Sequence, residues 1–308
     1  MVLAAASPRP SALGSNRSVA TVAATHPMRY HVSLPSGWSS KREWPVIVAI
    51  PDAGRHFAEN LNAFAKERGE RPYILVAPEV LTCGGARTRT PEHYSYSRAV
   101  WDSLQGRDDF AFDDAGVGAV LADVRRRWHG EPTAFLTGWE AGGHTVWALT
   151  FRHPERWRGV APVSTNYSRR GLDSSAFSDA PERTHLPLQV FREGHPTGEI
   201  ANAMEFLDQQ MAAALADARS HGYATTPVCV VPGVDHGPLA PPCWPGATPC
   251  GPRTESPVTR ALTDGVASPA PACSRRPAQA APARPARRPA ASARWRTGSP
   301  RARSFERD

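Results

Sequence analysis

No stretch of the 308-residue sequence approaches the roughly 18 consecutive apolar residues of a membrane-spanning helix. A helical membrane protein is thereby excluded from the reading. Cysteine is also sparse: Cys83, Cys229, Cys243, Cys250 and Cys273 are odd in number and scattered, which argues against a small disulfide-built scaffold. Cys229 lies in an apolar run and reads as a small buried hydrophobe, while Cys243 and Cys250 offer a local disulfide or half of a metal site. No second pair and no nearby histidine completes a four-ligand zinc pattern, so neither a metal nor a cofactor is expected. The first 25 residues, rich in Ala and Ser, lack a basic segment followed by an apolar core. A secretory signal is therefore not read there, and a cytoplasmic location is the default expectation.

Charge of one sign is missing from the C-terminal end. From Pro241 to Asp308 the sequence has 12 Arg and no Lys against 4 acidic residues, a net of +8. Since the whole chain carries +7, residues 1–240 are left with about −1 and are nearly neutral. Residues 271–304 contain no Val, Leu, Ile or acidic residue and are dominated by Ala, Arg and Pro. Such a composition buries little, and 241–308 is expected to be a disordered basic tail. Arginines of this kind can contact phosphate, but Trp295 and Phe305 are the only aromatics in 245–308. Specific nucleic-acid binding is not expected without the interleaved aromatics of a single-strand binder.

What is present between these ends is an alternation of buried strands and amphipathic helices. Residues 1–28 lack periodicity and read as a flexible leader. Strands are expected at 29–34, at Pro45–Pro51, whose apolar run shows no alternation, and at Tyr73–Ala77. Helices are expected from His56 to Arg68, ended by Gly69, and from Asp113 or Asp114 to Trp128 through Val117, Val120, Leu121 and Val124. The polar stretch from Leu81 to Phe110 reads either as a lid or as a surface excursion with one helical turn packed on its aromatics. Further strands are expected at 134–138, at 159–164 (cut short or bent by Pro162), at 188–191 and at 227–231, with a helix from Ile200 to Arg219. The pattern predicts an α/β fold, a doubly wound, mostly parallel sheet with helices on both faces, over residues 29–240.

The chemistry of this chain concentrates at Thr137, Gly138, Trp139, Glu140, Ala141, Gly142, Gly143 and His144, a strand, a tight turn and the start of a helix. Glycines at 138, 142 and 143 stand where backbone crowding excludes a side chain. Together with Phe112, Asp113 and Asp114, and with the run from His153 to Val163, this stretch resembles the α/β-hydrolase superfamily, closest to polyhydroxyalkanoate depolymerases and feruloyl-esterase-like esterases. The resemblance implies a nucleophile elbow reading T-G-x-S-x-G-G, matched at Thr137, Gly138, Gly142 and Gly143 and broken at Glu140. It places the family's histidine at His236 and its acid at Glu193, in a loop that also carries Glu199. It assigns the oxyanion loop to Ala53 and Gly54 within 52–55, with Ala141 after the elbow residue. A small-molecule or polymer ester is the ligand class it implies.

A serine triad attacks a carbonyl through a hydroxyl, and Glu140 has none. Ser164 and Thr145 do not stand at the turn apex and do not replace it. Three arrangements follow. In the first the protein is degenerate, with Glu140 bonded to His236 or His144 and an esterase-like cleft kept for binding. In the second Glu140 is a carboxylate nucleophile and His236 the base, as aspartate serves in haloalkane dehalogenases and epoxide hydrolases, with ester, halide or epoxide substrates. In the third Glu140, His144 and His236 offer metal-ligand types, a set more readily read as a structural ion pair. Arg55 either attracts an anionic ligand or is solvated, and Trp139 either lines a pocket or packs on the sheet. Solvated loop positions are the simple reading of Glu193 and Glu199.

Overall fold

The computed structural model describes residues 18–84, 93–104, 108–172, 176–195 and 197–233. The chain divides into two compact units, Met1–Ala267 and Ser268–Asp308, and every described residue belongs to the first. His236, the side chain of Glu199 and the whole of 241–308 lie outside the described residues.

Eight strands form one sheet: β1 (Val19–Val22), β2 (Arg29–Ser33), β3 (Val46–Ile50), β4 (Ile74–Pro78), β5 (Ala134–Glu140), β6 (Trp157–Thr165), β7 (Phe191–Glu193) and β8 (Cys229–Val231). Their order is β1-β2-β4-β3-β5-β6-β7-β8. The β1–β2 and β2–β4 pairings are antiparallel, and from β4 across to β8 every pairing is parallel. Among the described residues five helices connect them: α1 (Phe57–Arg68), α2 (Arg98–Leu104), α3 (Asp109–Trp128), α4 (Gly143–Arg152) and α5 (Gly198–Ser220). This is the mostly parallel, doubly wound sheet that the sequence predicts.

The unbroken apolar run of β3 has a direct cause. Alternate side chains of a strand face opposite sides of the sheet, and here both sides are covered. Val46, Val48 and Ile50 enter the larger core with Val117, Val120 and Val124 of α3, Val146 and Trp147 of α4, and Met204 and Leu207 of α5. Ile47 and Ala49 enter the other core with Leu61, Phe64 and Ala65 of α1. Complete burial of each Val or Ile stabilises the fold by about 2 kcal/mol. The two faces together leave β3 no solvent side.

The structure departs from the sequence reading at β1, at Pro162 and at Cys229, while the stretch after β4 agrees with the reading of a helical turn packed on its aromatics. Within the expected leader, Val19–Val22 forms β1, pairing Val19 with Val32 and Val22 with Arg29. Its half-exposed residues give a short edge strand little apolar signal. Strand β6 is not cut at Pro162 but runs through it opposite Gly138. Val160, two residues earlier, bonds toward the β7 side through Pro187 and Gln189, so the missing N–H of Pro162 falls on that sparsely paired flank. The polar stretch after β4 contains α2, and Tyr94, Tyr96 and Trp101 are buried together. Cys229 is buried as expected for a small hydrophobe, but it is disulfide-bonded.

Helix α3 starts a turn earlier than Asp113. Asp108 has extended backbone (φ −70°, ψ 120°) and its carboxylate accepts the Phe110 N–H at 3.0 Å, the geometry of an N-cap. Asp113 is then an interior residue on the apolar stripe between Phe110 and Val117. We expect Asp108→Ala to cost about 1 kcal/mol in denaturant unfolding, with Asp109→Ala, outside the cap position, costing measurably less.

Candidate active site

Among the described residues, the carboxyl ends of the parallel strands carry Glu140, the loop 52–55 and Glu193, while His236 lies outside them. Strand β5 ends at Glu140, whose φ is +48°. That value lies in the left-handed region, unfavourable for a residue with a side chain. The turn is imposed by crowding. A Cβ on Gly138 would stand 2.8 Å from the Ile50 carbonyl oxygen, one on Gly142 2.2 Å from the Pro51 oxygen, and one on Gly143 2.3 Å from Thr165 Cβ. The elbow is therefore wedged between the ends of β3 and β6, and the three glycines admit the neighbouring chains. The Glu140 carbonyl accepts the Asn166 N–H at 2.9 Å, which ties the apex to the segment following β6.

Beside it, the loop after β3 turns at Asp52, Ala53, Gly54 and Arg55. Asp52 Oδ1 accepts the Gly54 N–H at 3.1 Å, and the Asp52 carbonyl accepts the Arg55 N–H at 3.2 Å. Arg55 has φ +57° and is 5% exposed, so it is not the solvated arginine of the simple reading. Its Nε donates to Tyr94 Oη at 2.9 Å and its Nη1 to the Ala53 carbonyl at 3.0 Å. Tyr94 in turn donates to the Val80 carbonyl at 3.0 Å. The guanidinium thus joins the oxyanion-loop position to the segment after β4.

At the end of β7, Glu193 is fully buried rather than solvated. It accepts a hydrogen bond from the Ser164 hydroxyl at the end of β6. Ser164 also has positive φ, +43°, so backbone strain is shared by two adjacent strand ends and does not single out residue 140. Ser164 is only 1% exposed, and its hydroxyl is committed to Glu193. This burial, not the lack of a strained turn, is what removes it as a nucleophile. Trp139 points away from these groups, packing on Phe64 of α1 with ring centroids 5.8 Å apart.

His144 occupies the first turn of α4. Burial, with the nearby Arg170 cation, pushes its imidazole down to about 4, so it is neutral at pH 7. Its Nδ1 is buried and has no hydrogen-bond partner among the described residues. No group of three or more His, Cys, Asp and Glu side chains suited to a metal occurs among the described residues, and His236, the third member of the metal-ligand set, is outside them.

Sequence reasoning missed the most heavily hydrogen-bonded carboxylate near the elbow. Asp113 is buried and accepts from Leu81 N at 2.8 Å, Thr82 N at 2.9 Å and Thr82 Oγ1 at 2.6 Å. Thr82 Oγ1 lies 2.6 Å from Thr145 Oγ1 in the first turn of α4. A carboxylate on the apolar stripe of a helix was the available signal. The neighbouring Asp114 has a different duty, holding His153 Nε2 and Arg156 Nη1, each at 2.8 Å. Burial raises the Asp114 carboxyl, but the bonds and charges of His153 and Arg156 outweigh it and hold it below the ordinary range.

Strand order, the antiparallel start of the sheet and the glycine-lined turn after its central strand define the α/β-hydrolase fold. No protein-family model matches the chain, and no curated protein matches it. Among solved structures it is similar to a poly(3-hydroxybutyrate) depolymerase from Bordetella parapertussis, at 17% identity and TM-score 0.50, covering 73% of this chain and 86% of that one. It is similar also to poly(aspartic acid) hydrolase-1 from Sphingomonas sp. KT-1, at 15% identity and TM-score 0.50, covering 73% and 96%. For the dipeptidyl peptidase 4 of Porphyromonas gingivalis the values are 12% and 0.46, with 72% of this chain covered and the match spanning 33% of the peptidase. At these identities the likeness is one of fold.

Proposed function

We propose that this protein is a degenerate member of an esterase-like group of the α/β-hydrolase fold, without serine-hydrolase chemistry, that keeps a cleft for a small-molecule or polymer ester. One observation carries the reading: the residue at the elbow apex, with φ +48°, is Glu140. An oxyanion site stabilises charge that develops only during reaction, and a carboxylate held there opposes that charge in advance. The Gly54 N–H is already taken by Asp52, which leaves Ala53 and Ala141 as the backbone donors of the proposed oxyanion loop. The named activities of the two structural neighbours, on poly(3-hydroxybutyrate) and poly(aspartic acid), favour a polymer of short acid units as the ligand class.

A second reading keeps catalysis, with Glu140 as nucleophile, His236 as base and Glu193 as the acid that orients it. The burial of Glu193 at the end of β7 favours it, because a triad acid acts from a buried position. The added methylene of glutamate over aspartate counts against it, since a displacement of about 1 Å can cost on the order of a hundredfold in rate.

Hydrolysis of a short-chain aryl ester by the full chain separates the two. The native protein is expected to be silent, and Glu140→Ser to hydrolyse the ester on the order of a hundredfold above it or more, with the gain lost in Glu140→Ser/His236→Ala. Native turnover abolished by Glu140→Gln, with labelled oxygen from water entering the Glu140 carboxylate in one turnover, would establish the nucleophile instead.

A further inference from the structure

Three side chains from three different elements meet beneath the elbow helix. Asp113 of α3 takes the backbone N–H groups of Leu81 and Thr82 and the Thr82 hydroxyl, and the Thr82 hydroxyl contacts that of Thr145 on α4. All three residues are 0 or 1% exposed, so no solvent competes for these bonds. Among the described residues no Lys, Arg or His forms an ion pair with Asp113. The carboxylate is balanced by donors alone.

Proton counting fixes the direction of the chain. When Asp113 is ionised, Thr82 spends its single hydroxyl proton on Oδ2. In the 2.6 Å contact between the two hydroxyls, Thr145 is then the donor. When Asp113 takes up a proton from solvent, its new O–H needs an acceptor. The Leu81 and Thr82 N–H groups can only donate, so Thr82 Oγ1 accepts it. Thr82 then donates to Thr145, and Thr145 turns its proton elsewhere. Thr145 stands in the first turn of α4 beside His144, whose N–H bonds to the Ala141 carbonyl at 3.2 Å. Only hydroxyl hydrogens rotate in this change, and no covalent bond other than the acid O–H is made.

We propose that Asp113, Thr82 and Thr145 form a reversible hydroxyl relay, which transmits the protonation of a buried carboxylate to the first turn of the elbow helix. The bistable element is the pair of hydroxyls, and what it biases is the first turn of α4 around Thr145, which begins three residues after Glu140. This device does not depend on what chemistry, if any, takes place at Glu140.

The relay operates near neutral pH. Burial lifts the Asp113 carboxyl to about 7, against the opposing hydrogen bonds of Thr82 and Leu81. Asp108, at the start of α3, raises it further. Of the other groups facing the site, the Cys83 thiol is pushed up by burial to about 12, and the Tyr94 and Tyr96 phenols are raised by burial as well. They stay protonated across the range. Glu79 stands beyond Tyr96, accepting its hydroxyl through the backbone carbonyl. The Arg55 guanidinium stands beside Tyr94, Arg170 stands near Cys83, and His144 titrates well below neutrality.

The test is a pH titration of the full chain by NMR, following the Asp113 carboxyl carbon and the backbone amides of Thr82 and of residues 143–146. The carboxyl carbon is expected to titrate near neutrality, and both sets of amides to shift with the same midpoint. In Thr145→Val, which keeps the volume, Asp113 and Thr82 should still titrate together while the amides of 143–146 stop following. Thr145→Ser should restore them. An Asp113 midpoint at the ordinary carboxylate value overturns the proposal, as do α4 amides that stay flat in the native protein. Amides of 143–146 that still follow Asp113 in Thr145→Val overturn it too, because the coupling then bypasses the hydroxyl.

Discussion

Gly142→Ala is expected to abolish the native fold or leave it at least about 3 kcal/mol less stable in denaturant unfolding, a large effect for one methyl group. The added Cβ would stand 2.2 Å from the Pro51 carbonyl oxygen, 3.0 Å from that of Ile50 and 3.1 Å from the Pro51 carbonyl carbon. All three atoms are backbone at the end of β3, so no side chain can swing away. The turn would have to move off the central strand. Gly142 itself has ordinary helical backbone (φ −60°, ψ −19°), so conformational freedom plays no part. Gly118→Ala supplies the opposite control: it lies inside α3, and the added Cβ would meet only the Arg156 guanidinium at 3.6 Å, an ordinary contact. It should be neutral or stabilise the fold by up to about 1 kcal/mol, the gain in helix propensity of alanine over glycine. Comparable losses from the two substitutions would refute the idea that the elbow is set by crowding.

Removal of the Asp113 side chain is expected to have the next largest effect, and one that changes with pH. Asp113→Ala leaves two backbone N–H groups and a hydroxyl without their buried acceptor. In acid solution the protonated carboxyl donates to the Thr82 hydroxyl, so the two N–H groups are the donors left unsatisfied, and at about 1 to 3 kcal/mol each a loss of about 4 kcal/mol follows. The Asp113 pKa is raised in the folded protein, to about 7. The folded state therefore binds this proton more tightly than the unfolded chain does. The resulting stability is complete below the ordinary carboxylate value of about 4 and is lost as pH rises to about 7, amounting to about 4 kcal/mol over the window. The deficit of Asp113→Ala against the native protein should thus shrink by that amount between about pH 4 and pH 8. Urea unfolding of both proteins across this range measures it. A deficit that stays constant or widens with pH would show that the donors outweigh burial and keep the carboxylate ionised.

These two residues differ in how far the sequence reveals them. Three glycines around one position, after an apolar strand and before a helix, describe a turn that no other residue type fits, and the crowding at Gly138, Gly142 and Gly143 is the structural counterpart of that pattern. Asp113 was readable only as an acidic residue near a helix start. Its place inside α3, on the buried stripe, depends on Asp108 capping the helix a turn earlier. Glu193 carries no local mark of burial either. A short strand ending in a glutamate reads the same whether or not Ser164, 29 residues away, closes over its carboxylate.

The sequence by itself determined the layered architecture, because strand and helix periodicities are local consequences of which side chains must leave water. It also determined that the elbow apex carries a carboxylate and no hydroxyl, since no folding changes the chemistry of Glu140. Tertiary structure alone decided which polar groups lose solvent. Arg55, Asp113, Ser164 and Glu193 are ordinary loop, helix or strand-end residues along the chain, and they are buried only when the ends of β4, β3, β5, β6 and β7 line up in one sheet. Hydrogen bonds between strand ends are set by the order of the sheet, which arises from long-range packing and is not written in any one segment.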